Sequence, residues 1–365
     1  MYSLYGVSDM QQSVVSMIVF FYIFVSFALL VYNLFYMFSS GTKQRIGKRR
    51  LKAEIRSQSQ IILHPDEKKM EKYKKTLLRR LSTAEGLLVF HNAFVQNRTV
   101  FSRQMITSYL EECRTVIFHA AERYVRHPAM ERALFAYYIS IMPEEAAPSF
   151  RRLGEILLKY LEDSTIYLRE NVLKALCHLG NGNALEHALM LFQENGWYHN
   201  SKLITDALMD FQGDRRALAE RLWMKKWDDR MRAVLIQFMA KLPDDFSDSV
   251  LPLLASGNHE ICFDAIRYFS SHIDRRAVPV LQEILKKDEE TAIAAAQVLG
   301  NYPDEETKKL LMKAVKSGNW YIRYNAAVSL TKMGLSRSEE EALLNSDDRF
   351  AREMFTYISE NRRSV

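Results

Sequence analysis

Charge is missing from one long stretch of this 365-residue chain: no Asp, Glu, Lys, Arg or His occurs between Met10 and Thr42. Turn formers are scarce throughout, with 13 Gly and 8 Pro. That is too few for a β-rich fold, which needs a turn about every ten residues. Cysteine is limited to Cys113, Cys177 and Cys262. An odd, widely separated set with no CxxC pair excludes a disulfide framework and a thiolate zinc site. Each cysteine sits in apolar helical sequence and reads as a buried, reduced thiol in a reducing compartment. There is no P-loop, no GxGxxG, no GxSxG and no HExxH, and the nine histidines have no metal-ligand spacing. The expectation is therefore no catalytic residue, no cofactor and no metal, and a protein that is not an enzyme.

The uncharged stretch is densest from Val14 to Phe38. As a helix it would reach about 37 Å, more than the roughly 30 Å hydrocarbon core of a bilayer. Lipid forces such a segment to satisfy its own backbone hydrogen bonds, so a transmembrane helix is expected over residues 13–39. A cleaved signal peptide fits less well, because residues 1–12 carry no Lys or Arg and no A-x-A site follows. Positive charge lies almost wholly on the C-terminal flank. This predicts a short outer N-terminus, residues 1–12, and a cytoplasmic body in a single-pass protein of the cell membrane. The scarcity of long low-complexity linkers points to a bacterial source.

The net charge of +6 is unevenly spread. Lys43 to Arg80 holds fourteen Lys/Arg against four Asp/Glu, a net of +10, which leaves −4 for the remainder. A basic juxtamembrane segment is read over residues 40–75. Lys43, Arg45, Lys48, Arg49, Arg50 and Lys52 are candidates to face anionic lipid; the alternative is that they only set topology. Nucleic acid is disfavoured, since aromatic residues to stack bases are lacking apart from Tyr73.

Beyond this segment the chain repeats. Thirteen-residue segments starting near 131, 168, 200, 231, 261, 291, 322 and 350 share apolar residues at the same places, as in Val172, Leu173 and Leu176 or Ala326, Ala327 and Leu330. That spacing marks one face of a helix. Small residues such as Ala295, Ala296, Ala326 and Ala327 allow a neighbouring helix to come close. Pro143, Gly180, Pro243, Pro303 and Gly334 end these helices. A second apolar helix follows each stop. One hairpin alone cannot bury its apolar face, so successive hairpins must stack. Residues 76–130 are helical in pattern but out of register and read as an N-terminal cap; residues 361–365 form a polar tail. Trp197, Trp227 and Trp320 recur just before first helices and read as packing between repeats. Paired carboxylates such as Asp228–Asp229 and Asp347–Asp348 read as helix starts, not as general acids.

The stretch SGNWYIRYNAAVSLTKMG, residues 317–334, carries an apolar–Arg pair ahead of an Ala-rich helix, and Leu168–Arg169 and Met231–Arg232 repeat the pair. This pattern resembles the HEAT-like repeats of the phycobilisome-lyase type over residues 131–360. Cys262 and Ala292 depart from it by replacing the Arg. The resemblance implies an all-α fold, an α-solenoid of HEAT-like hairpins, and the uncharged stretch adds one N-terminal transmembrane helix ahead of it. A solenoid with an extended groove, no catalytic constellation and a membrane tether is expected to be a scaffold or adaptor that binds protein partners at the cytoplasmic membrane face, such as an integral membrane enzyme or transporter of the envelope-polymer machinery. The partner groove is expected along the second helices, with Arg215, Arg216, Arg275, Arg276 and Lys309 as candidates. A lyase-like enzyme or cofactor-binding protein follows from family analogy only. A sensor of anionic lipid through the basic segment is a further alternative.

Overall fold

The computed structural model describes residues 45–287 and 289–360, together with residues 21, 24–26 and 29. Every regular element among the described residues is helical. No described helix is long and apolar enough to cross a membrane. The anchor expected over 13–39 lies outside the described residues but for five positions, and residues 1–12, Lys43 and 361–365 lie wholly outside them. Two compact units are present, Met1–Arg123 and Tyr124–Val365.

The first unit contains α1 (residues 45–63), α2 (Glu67–Leu81), α3 (Ala84–Arg98) and α4 (Arg103–Tyr124), the last residue of α4 belonging to the second unit. Asp66 and Thr83 cap α2 and α3 by accepting from the amides of Lys69 and Gly86. Met70, Tyr73, Leu77 and Leu81 form the buried stripe of α2. Polar side chains also lie in this core. Glu54 and Gln58 of α1 are almost fully buried. Tyr73 donates to Glu54 Oε1 at 2.8 Å, and the Arg80 guanidinium pairs with the other oxygen. Gln58 donates to the Phe90 carbonyl at 3.2 Å and accepts from Asn97 at 3.1 Å. Described residues of the basic segment thus supply α1 and the first part of α2, with buried faces in this core. A buried carboxylate is tolerated there because each of its oxygens meets a donor.

The second unit continues through α5 (Ala129–Ser140), α6 (Ala147–Phe150), α7 (Leu153–Leu158), α8 (Ile166–His178), α9 (Gly182–Glu194), α10 (Ser201–Met209) and α11 (Arg215–Trp223). It goes on with α12 (Asp229–Lys241), α13 (Ser247–Val250), α14 (His259–Ser271), α15 (Val278–Lys286), α16 (Glu290–Leu299) and α17 (Glu305–Ala314). It ends with α18 (Trp320–Met333), α19 (Arg337–Leu344) and α20 (Arg349–Glu360). The eight repeated segments are α5, α8, α10, α12, α14, α16, α18 and α20, and each packs on the next. Ala295 and Ala296 of α16 and Ala326 and Ala327 of α18 are fully buried, and the two helices pack on each other. Their small size brings the backbones close enough for Ser329 Oγ to donate to the Ala296 carbonyl at 2.7 Å. The intervening second helices are less regular. Where Pro252 falls, the second helix breaks into α13 and a 3₁₀ turn, Leu251–Ala255, because proline removes an amide donor.

Glycine ends α8. Gly180 adopts φ +62°, and the next amide, Asn181 N–H, reaches back to the Leu176 carbonyl at 3.3 Å. The same turn meets the following repeat: Gln212 N–H donates to the Cys177 carbonyl at 2.9 Å.

The repeated Arg has a local backbone task. Arg169 donates to the Ser164 carbonyl at 2.9 Å, Arg323 to Ser317 at 2.7 Å, and Arg352 to Ser346 at 2.6 Å. Arg232 reaches the Trp223 carbonyl at 3.3 Å. Each side chain folds back from the first turns of a helix onto a carbonyl at the end of the preceding helix or in the loop after it.

Candidate functional site

The caps expected from the carboxylates hold the starts of these helices. Asp228 accepts from the amide of Met231 at 2.8 Å and Asp348 from that of Ala351 at 2.9 Å. Asn258 and Asn319 do the same for α14 and α18. With the starts pinned, the first-turn side chains of successive helices form one edge of the stack.

That edge is rich in exposed aromatic residues. Tyr198 is 56% exposed, Trp320 49%, Tyr321 61% and Phe350 62%, and Phe263 also faces solvent. Guanidinium groups lie over several of these rings. Arg230 of α12 stands 4.2 Å from the Tyr198 ring centre, and Arg323 of α18 stands 5.2 Å from that of Phe350, so each contact joins neighbouring repeats. Trp320 stacks on Tyr324 at 5.3 Å.

Two clefts open along this edge. One, of about 340 Å³, is lined by Trp197, Tyr198, Ile204, Arg230, Met231 and Glu260 among others. The second, of about 640 Å³, runs across the starts of α14, α16 and α18 and is lined by His259, Glu260, Phe263, Glu290, Thr291, Ile293, Asn319 and Tyr321. Glu260 borders both. Trp197, Tyr198 and Arg230 line the first cleft and Phe263 and Tyr321 the second, which also takes Glu290; Tyr, Trp and Arg are the residues enriched in protein-binding hot spots.

The expected tryptophan packing divides. Trp227 is buried and donates to the Leu222 carbonyl at 2.6 Å. Trp197 packs on Phe192 beneath Arg169. Trp320 instead points outward at the first position of α18, and Ile322, two residues on, takes the buried place.

The cationic candidates of the second helices lie elsewhere. Arg215 is half-buried and donates to the Phe211 carbonyl at 3.3 Å. Arg216 pairs with Glu220 at 3.0 Å and with Asp244 of the next repeat at 3.5 Å. Arg276 pairs with Asp274 and, across the repeat junction, with Asp248, both at 2.6 Å. Arg275 and Lys309 are exposed. In the first unit Arg45, Lys48, Arg49 and Lys52 are exposed, whereas Arg50 pairs with Glu85 at 2.6 Å.

Groups suited to covalent or acid–base chemistry do not converge. All three cysteines are buried and free. Burial pushes the Cys113 thiol up to about 12 and raises those of Cys177 and Cys262, which suppresses the reactive thiolate. Among the described residues no group of three His, Cys, Asp or Glu side chains is placed to hold a metal.

Sequence comparison agrees with the architecture. Residues 278–353, from α15 into α20, match the family model for HEAT repeats. HEAT repeats serve as protein-interaction scaffolds with extended binding surfaces. No curated protein is significantly similar to the chain.

Proposed function

We propose that this protein is a membrane-tethered HEAT-repeat scaffold that captures a protein partner along the edge where its first helices begin. The observation that carries the reading is the pair of adjoining clefts sharing Glu260, set among exposed Tyr198, Phe263 and Tyr321. Exposed aromatic side chains cluster in this way where another surface covers them. The acidic rim of Glu260 and Glu290 suits a partner segment that is apolar and carries a basic residue. The tether rests on the uncharged sequence from Met10 to Thr42 and the basic flank behind it. Held at the inner face of the cell membrane, the stack would offer this edge to a membrane enzyme or transporter.

The test is site-specific photo-crosslinking in cells. A photoreactive residue replaces Phe263 or Tyr321 on the aromatic edge, and Arg275 or Lys309 on the second-helix surface. A discrete crosslinked partner at Phe263 and Tyr321, lost in a Glu260→Lys/Glu290→Lys variant, is the expected result. Crosslinking only at Arg275 and Lys309 would move the partner to the second helices. Crosslinking at none of the four would remove the scaffold reading. Fractionating the full chain against one lacking residues 1–40 tests the tether separately.

A further inference from the structure

The buried face of α1 is marked by Glu54, Gln58, Ile61 and Ile62. At 100° per residue these four occupy one side of the helix, and Arg45, Lys48, Arg49, Lys52 and Arg56 fall on the other within an arc of about 100°. All five are exposed, and none has an ion-pair partner among the described residues. Off this arc, Arg50 pairs with Glu85, and on α2 Lys74 pairs with Glu112 and Arg80 with Glu54, while Lys68, Lys69, Lys72, Lys75 and Arg79 are exposed. The five cations of the stripe thus share one exposed face of α1, opposite its buried face.

We propose that this stripe is a docking surface for the anionic headgroups of a lipid bilayer, so that α1 lies against the membrane as well as following its anchor. The proposal rests on the membrane-tether reading and adds a lipid requirement to it. Three observations favour lipid. The charge is of one sign along about 17 Å of helix, which suits a planar anionic surface. The uncharged sequence ends at Thr42, three residues ahead of Arg45, so the stripe follows it closely in the chain. No aromatic residue occurs from Arg45 to Arg56, so the stacking platform that single-stranded nucleic acid needs is missing.

The experiment uses the full chain reconstituted into vesicles of phosphatidylcholine alone, or with roughly one third phosphatidylglycerol. Lysines are pulse-acetylated and quantified by mass spectrometry, with exposed Lys202 and Lys309 of the same chain as references. Lys48 and Lys52 are expected to react about fivefold more slowly in the anionic vesicles, and to recover in about 0.5 M salt, where the screening length falls to a few ångströms. An Arg49→Glu/Arg56→Glu variant should lose the protection without a change in melting temperature. Equal rates in both vesicles, or protection that ignores salt, would overturn the proposal and leave the tether intact. Equal protection by polyuridylate over phosphatidylcholine vesicles would also overturn it, in favour of RNA. A chain that floats with neither vesicle removes the tether reading and this proposal together.

Discussion

The thiol of Cys262 donates to the carbonyl of Leu254 at 3.3 Å. Cys262 occupies the position that Arg169, Arg232 and Arg323 hold in other repeats, and it performs their task with a weaker donor. A departure from the repeat pattern thus preserves the backbone contact that the pattern serves. The loop ahead of α14 stays closed because a buried carbonyl there still has a partner.

This equivalence predicts an order of stabilities. Cys262→Ala should cost about 1 kcal/mol, through one weak hydrogen bond and a small void. Arg323→Met should cost about 2 kcal/mol, since it abandons the Ser317 and Gly318 carbonyls. Denaturant unfolding of the two variants measures both. A larger loss for Cys262→Ala would contradict the shared role.

Glycine should matter unequally at two helix ends. Gly180 and Gly334 both have positive φ, +62° and +80°. A Cβ at Gly180 would stand 2.2 Å from the Gln212 carbonyl oxygen, whereas one at Gly334 meets nothing within 4 Å. Gly334→Ala should cost about 1–3 kcal/mol, the backbone strain alone. Gly180→Ala should cost at least about 1 kcal/mol more, because the bond from Gln212 to Cys177 must give way. Equal melting temperatures for the two variants would show that the repeat junction yields freely.

A pH response is expected at the junction of α8 and α10. His199 Nε2 accepts from Arg169 Nε at 3.3 Å. Burial, and then the Arg169 charge, lowers the His199 pKa below the ordinary 6.5. The folded state therefore favours neutral His199. Its contribution is full above pH 6.5 and is lost as pH falls through the lowered folded value. His199→Gln keeps an acceptor for Arg169 but cannot titrate. Its melting temperature should fall less than that of the parent between about pH 7.5 and 5. Parallel curves would assign the acid sensitivity to other groups.

Much of the repeat architecture was legible in particular residues. Pro143, Gly180, Pro243, Pro303 and Gly334 follow the ends of α5, α8, α12, α16 and α18, because helix termination is a backbone property written locally. The buried alanines of α16 and α18 were legible for a similar reason: the 3.6-residue period exposes them. Phe263 left a weaker trace, as an aromatic residue off the buried face of Ile261, Ala265 and Phe269.

The sequence by itself determined that the second unit is a run of helical hairpins, about where its first helices start and where five of them stop, and that an uncharged stretch precedes a basic one. These depend on neighbours within a few residues, so periodicity and capping chemistry reveal them. Only the tertiary structure decided that Phe263, Ile293 and Tyr321 line one cleft, that Arg276 spends its charge on Asp248 and Asp274, and that Glu54 and Gln58 belong to a core. These arrangements join residues up to tens of positions apart. Which side chains meet there depends on how one helix is rotated and seated against the next, and no local pattern in the chain records that.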